Sequence, residues 1–222
     1  KPADSAPARA IRAAKAHEKN ECYGEALGVV EAELASEPNN VDLLYYQGYY
    51  LFELGEYDRA VVAYERALAL RPELIEFHVY IAYARRMQKR PEEALAAFDQ
   101  AVAAKPKAFF ARYHKSNYLR ELGRHEAAIG EMDALLADDP GRYDYAFHKA
   151  NSLRSLGRHA EAIEAIDVAI ASDPSNPLYR RHKSQSYALS GRRQDALAEI
   201  EAALVIAPAN ADLLRDREAL NA

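Results

Sequence analysis

The sequence predicts an all-α solenoid, six helix-turn-helix repeats closed by a short capping helix. Three observations carry this. Prolines recur at Pro38, Pro72, Pro106, Pro140, Pro174 and Pro208, each 34 residues after the last, so six of the ten prolines stand on one comb. Alanines keep the same step at Ala26, Ala60, Ala94, Ala128, Ala162 and Ala196, each followed by an aliphatic residue. Within a unit the apolar residues fall on helical stripes, as with Ala60, Val61, Tyr64, Ala67 and Leu68. A fixed period of this length with two stripes per unit means stacked helix pairs, because one pair alone cannot bury its apolar face.

Each unit reads as helix, tight turn, helix and proline-bearing link. First helices are expected at roughly 8–20, 42–54, 76–88, 110–122, 144–156 and 178–190, and second helices at roughly 24–36, 58–70, 92–104, 126–138, 160–172 and 194–206. Between the two, Gly55, Gly123, Gly157 and Gly191 fill a column suited to a left-handed helix end, broken by Glu21 and Lys89. The proline that follows each second helix cannot continue it. A second column of small residues, Ala14, Gly48, Ala82, Ser116, Ala150 and Ser184, lies on the first helices. Together with the alanine column it lets paired helices approach closely, and a leucine at Ala128 or Ala162 would overpack the joint by roughly 1–3 kcal/mol. The repeats are placed near 7–40, 41–74, 75–108, 109–142, 143–176 and 177–210, one array over 1–210. Residues 211–222 begin a further first helix with Leu213 and Leu214, but Glu218 stands where a small residue is needed, which reads as a polar cap.

Composition narrows the function classes. Half of the 222 residues are apolar and 28% are charged, so the chain has ample core material. A net charge of −5 gives no overall attraction to nucleic acid. Cys22 stands alone, so no internal disulfide can form, which fits a reducing compartment and makes the cytoplasm the expected location. The start at Lys1-Pro2-Ala3-Asp4 lacks Met and reads as a processed or cut end, which keeps the periplasm as the alternative. No stretch approaches the roughly 18 apolar residues of a membrane span. Residues 1–8 read as a frayed lead-in.

These features closely resemble the tetratricopeptide repeat (TPR) family: the small residue in each first helix, the glycine between helices, the alanine column, the large residue four later (Tyr64, Phe98) and the closing proline. Leu-Gly-Arg-His-Ala-Glu-Ala-Ile at 156–163 and the Ser-Asp-Pro-Ser-Asn link at 172–176 are the most specific matches. The resemblance covers about residues 7–210. The aromatic often seen early in the first helix is replaced by Ala10, Leu44, His78, Arg112, Ala146 and Arg180. The resemblance implies a right-handed solenoid whose first helices line a concave groove.

On a helical wheel Tyr45, Tyr49 and Phe52 share one side, away from the Leu44, Gly48 and Leu51 stripe. Steps of 34 residues carry that side along the chain, and the candidate groove residues are Tyr45, Tyr49, Tyr80, Tyr83, Arg86, Tyr113, His114, Asn117, Arg120, Phe147, His148, Asn151 and Arg154. Aromatics gather in the second and third repeats, amides recur at Asn117, Asn151 and Gln185, and arginines align at Arg86, Arg120 and Arg154. An amide offers donor and acceptor to an extended backbone, and a guanidinium binds carboxylates in paired hydrogen bonds. The expected ligand is therefore an extended segment of a protein partner, acidic at one end and apolar at the other. Second helices carry much of the acid, so the groove is expected to be the more basic side. Lys115, Lys149 and Lys183 fall on the packing side and are left out of the site.

Other chemistries fit less well. His114, His148 and His182 are spaced one repeat apart, too far to share a metal ion. No His-Glu-x-x-His, phosphate-loop or Gly-x-Ser-x-Gly element is present, and no cofactor or catalytic group is expected. The tyrosines leave a bacterial polysaccharide-secretion module as an alternative, and the chain could also serve as the accessory part of a larger enzyme. The oligomeric state is not written in the sequence.

Overall fold

A computed structural model describes residues 5–222. It consists of helices and turns, with no strand among the described residues. Six pairs run in order: α1 (Ala6–Glu18) with α2 (Tyr23–Ser36), α3 (Val41–Glu53) with α4 (Tyr57–Leu70), and α5 (Glu76–Met87) with α6 (Pro91–Ala104). There follow α7 (Phe109–Glu121) with α8 (His125–Leu136), α9 (Tyr143–Ser155) with α10 (His159–Ser172), and α11 (Pro177–Leu189) with α12 (Arg193–Ile206), then α13 (Ala211–Asn221). The helices begin and end within two residues of the expected positions, as periodicity allows. The chain divides into two compact units, one ending at Ala111 and one beginning at Arg112.

The turn inside each pair follows one chemistry. In α3–α4 the Gly55 amide donates to Phe52 and the Glu56 amide reaches back to Leu51 at 2.8 Å, closing the helix in a Schellman arrangement. Gly55, Gly123, Gly157 and Gly191 all take positive φ, and Glu21 and Lys89 take it too, at 58° and 57°. The break in the glycine column is therefore one of residue type only, and it carries the steric cost of a side chain in that region. After the link, Asn40, Asn176 and Asn210 cap α3, α11 and α13 by accepting backbone N–H groups.

In the first unit the core is rich in large side chains. Tyr50 and Phe98 are fully enclosed, as are Leu43, Leu44 and, to within 1%, Leu51. Tyr64 on α4 lies across Gly48 on α3 so closely that a Cβ there would stand 2.3 Å from its ring. Only glycine leaves room for that ring.

The second unit pairs its helices by a different contact. The Ser116 hydroxyl donates to the Ala128 carbonyl at 3.1 Å, and Ser184 donates to Ala196 at 2.8 Å. Ile129, Leu153, Ile166 and Tyr179 form one apolar cluster, with Ala150 and Ala162 at the close approach. Leu213 of α13 joins Ile200, Ala203 and Leu204 of α12.

The lysine column reaches acids on the second helices. Lys149 meets Asp133 at 2.6 Å, Lys183 meets Asp167 at 2.7 Å and Glu199 at 3.0 Å, and Lys115 pairs with Glu131. Arg112 also holds Glu131 at 2.5 Å, so this nearly buried carboxylate has two cations. A buried charge needs such partners to be tolerated. Much of the second-helix acid is thereby neutralised on the packing side.

Candidate ligand-binding faces

In the first unit, α3 and α5 bring Tyr45 and Tyr80 together at 5.4 Å, as their places in adjacent first helices expect. Tyr46 lies 4.9 Å from Tyr45, and Phe77 lies 6.0 Å from Tyr80. These rings line a pocket of about 390 Å³ whose rim also carries Asp42 and Glu76. Tyr49 stacks on Tyr45 at 6.4 Å and donates to Glu18 at 3.4 Å, as Tyr50 does at 3.2 Å. Burial and then the Glu18 charge push the Tyr49 hydroxyl up to about 12, so it stays protonated at neutral pH. Burial and then Tyr45 push Tyr80 up to about 12 as well. Tyr83 packs edge-on against Phe98 at 6.0 Å, with the Arg86 guanidinium 5.9 Å from its ring centre. Of the predicted aromatics, Tyr45 and Tyr80 line the pocket, Tyr49 stacks on Tyr45, and Tyr83 packs on Phe98.

In the second unit, rings from α7, α9 and α11 interleave. Tyr113 meets His148 at 4.6 Å, and Phe147 meets His182 at 4.8 Å. His114 lies against Tyr113 at 5.1 Å. One turn further along each helix stand the amides and arginines. Arg120 donates to the Asn117 carbonyl oxygen at 3.4 Å, and Arg154 donates to that of Asn151 at 3.1 Å. Arg154 also contacts Nδ1 of His182 at 2.6 Å. A guanidinium has no lone pair, so Nδ1 must be the acceptor and the His182 proton sits on Nε2.

The electrostatics of this row are one-sided. Arg120 and Arg154 have only neutral partners among the described residues, and the Arg120 Nε is buried without any. Burial, then the charge of Arg120, lowers the Arg154 pKa. Burial and Arg120 depress His148 to about 4, while burial followed by Arg154, Arg181 and Arg120 depress His182 to about 4. Burial also lowers His114. Both deep histidines are neutral at pH 7 while the two guanidiniums keep their charge. Half-buried cations without a carboxylate are a standing invitation to an anion.

Two details were not visible in the periodicity. Asn151 is only 8% exposed, deeper than an open groove suggests. Arg181, which shares a column with Tyr113 and Phe147, is taken by Asp216 at 2.6 Å and Asp212 at 3.2 Å on α13. His182, Tyr46, Phe77 and Glu76 join the sites although the column reading did not select them. Tyr46 and His182 had a usable signal, the step of 34 residues they share with Tyr80, His114 and His148. Among the described residues no three His, Cys, Asp or Glu side chains are grouped to hold a metal ion, and no helix is long and apolar enough to cross a membrane.

Comparisons with known proteins agree with this architecture. A tetratricopeptide repeat model matches residues 11–75, 51–109, 81–143, 113–177 and 147–211. A search of curated protein sequences finds no match. Among solved structures, the C-terminal part of a TPR repeat-containing protein from Cytophaga hutchinsonii aligns with a TM-score of 0.75 at 16% identity, covering 95% of this chain and 84% of that one. PilW, a type IV pilus biogenesis factor, aligns with a TM-score of 0.67 at 18% identity over 93% and 96% of the two chains. YrrB, described as a TPR protein with an unusual peptide-binding site, gives 0.62 at 17% identity over 85% and 97%. At these identities the likeness is one of fold. The repeat match spans nearly the whole helical array, and the chain belongs to the tetratricopeptide repeat family.

Proposed function

We propose that this chain is a non-catalytic scaffold that holds an extended, partly acidic segment of a partner protein on its first helices, with residues 211–222 as the closing cap. The observation that carries the reading is the Arg120 and Arg154 pair, two half-buried guanidiniums whose hydrogen bonds go only to amide oxygens and an imidazole. A partner carboxylate there replaces neutral acceptors by an opposite charge and can accept paired hydrogen bonds from one guanidinium. Asn117 brings an amide N–H donor to the same row, suited to a carbonyl of an extended backbone. Asp42 and Glu76 at the first unit's pocket oppose a phosphate chain, so a nucleic-acid strand fits this face poorly.

A fluorescein-labelled peptide of alternating Glu and Ala, titrated by fluorescence polarisation, tests the reading. Arg120→Gln with Arg154→Gln should weaken binding about tenfold or more, as expected for losing charge-assisted contacts. Arg158→Gln, an exposed arginine already paired with Glu161 and Glu126, serves as control and should leave affinity unchanged. Equal affinities for the double variant and the parent would overturn the proposal.

A further inference from the structure

We infer that the tyrosine-lined pocket of the first unit takes a cationic side chain from the partner, an arginine guanidinium above all. This rests on the reading of the first-helix face as the binding face, and it changes the expected ligand. The ring-lined end of the face was expected to receive an apolar side chain. The pocket is lined by rings and by Ile11, Val41 and Leu74, and it also carries the carboxylates of Asp42 and Glu76.

Three observations converge. First, Tyr45, Tyr46, Phe77 and Tyr80 present four rings around about 390 Å³, with neighbouring rings inclined at 48–81°. Walls set at such angles offer ring faces to an entering group, and a ring face carries the negative end of the aromatic quadrupole. Second, Glu76 stands at the rim with its Oε2 buried and without a hydrogen-bond partner. Its charge is felt at the Tyr80 hydroxyl, whose pKa it helps to raise. A buried carboxylate oxygen with no donor is costly, and the terminal torsion of a glutamate is soft enough to turn that oxygen towards a ligand. Third, this chain already places cations on tyrosines. Lys15 sits 5.1 Å from the Tyr46 ring centre, Arg142 4.9 Å from Tyr145 and Arg192 4.4 Å from Tyr187. Tyr45, Phe77 and Tyr80 have other rings as their recorded aromatic neighbours, and no cation of the described chain stacks on them.

The alternatives satisfy less of this. A leucine or phenylalanine fills the space but leaves Glu76 without a donor. An acidic group meets the carboxylates of Glu76 and Asp42. A guanidinium stacks its plane on a ring while its edge N–H groups reach a carboxylate, and both contacts are available at once. The partner segment that enters the first unit's pocket therefore carries a basic residue.

The test uses single residues, so it needs no knowledge of the partner. N-acetyl-arginine methylamide is titrated into the isotope-labelled full chain and followed by amide chemical shifts. N-acetyl-citrulline methylamide, its neutral isostere, is titrated in parallel. Arginine should perturb Tyr45, Tyr46, Phe77 and Tyr80 and bind about fivefold tighter than citrulline, the scale of a partly exposed cation–ring contact. Glu76→Gln should reduce the arginine preference to what the rings alone supply, with helix content unchanged. Equal affinities in the parent chain, an unaltered preference in Glu76→Gln, or shifts confined to other residues would each overturn the inference. N-acetyl-glutamate methylamide, followed at Arg120 and Arg154, reports on the second unit separately, so failure of one pocket is read apart from failure of the other.

Discussion

The same slot in the second helix holds Tyr64 and Phe98 in the first unit, and Met132, Ile166 and Ile200 in the second. All five are buried. Across the pair stand Gly48 under Tyr64, Ala82 under Phe98, Ser116 under Met132 and Ala150 under Ile166. The Tyr64 ring demands an empty floor, whereas Phe98 and the aliphatic chains leave space for a methyl or a hydroxyl. The binding faces diverge in the same direction, towards tyrosine and carboxylate in one unit and arginine, amide and histidine in the other. One backbone period thus carries two chemistries, because the period fixes where a side chain starts and not what it is.

The comparison can be broken most forcefully at its aromatic slot. Tyr64→Ala removes a ring that touches Phe77 at 5.9 Å and Tyr80 at 5.4 Å, and should cost about 3–5 kcal/mol while opening the floor of the pocket. Met132→Ala at the equivalent position should cost less, about 2–4 kcal/mol, and leave the pocket intact. Urea midpoints followed by circular dichroism would show whether the order holds, and a reversed order would remove the aromatic basis of the contrast.

A second handle is proton uptake. His148 and His182 titrate near 4 in the fold and near 6.5 when unfolded, so above 6.5 neither state takes the proton and their full contribution is present. As pH falls from 6.5 towards 4 the unfolded chain binds protons that the folded chain refuses, and stability declines. Between pH 7 and pH 5 the loss should be on the order of 2 kcal/mol after allowance for solvent screening. Burial lowers His78 and His114 in the same sense. Replacing His148 and His182 by glutamine should flatten most of the slope, which thermal melts at a series of pH values would register. An unchanged slope would mean that the histidines are not the sensitive element.

The smallest effect concerns the turns. Lys89 holds positive φ where four other repeats use glycine, and Lys89→Gly should stabilise the chain by roughly 0.5–1 kcal/mol, the steric relief less the added freedom of the unfolded chain. A fall in the urea midpoint would show instead that the lysine side chain compensates locally.

Much of this was legible in the sequence. The step of 34 residues located all six helix pairs, and the small residues at Gly48, Ser116 and Ala150 marked the close approaches. Column logic also set Asn117 beside Arg120 and Asn151 beside Arg154 on one helix side, three residues apart. What it did not disclose depends on contacts between neighbouring helices. The amide oxygens face the arginines of their own helix, His182 accepts from Arg154 across to the next first helix, and Arg181 is drawn off by Asp212 and Asp216. The orphaned Glu76 oxygen gave no signal, because an acid in the first turn of a helix already has an ordinary reading against the helix dipole.

The hydrogen bonds from Arg120 and Arg154 to amides three residues earlier bear on the speed of exchange with a partner. A free arginine samples many rotamers and loses that freedom on docking, on the order of 1 kcal/mol for each side chain immobilised. Here the tether restricts both side chains before any partner arrives. Point changes along this row should therefore register mainly as shorter residence times, with the encounter rate hardly altered.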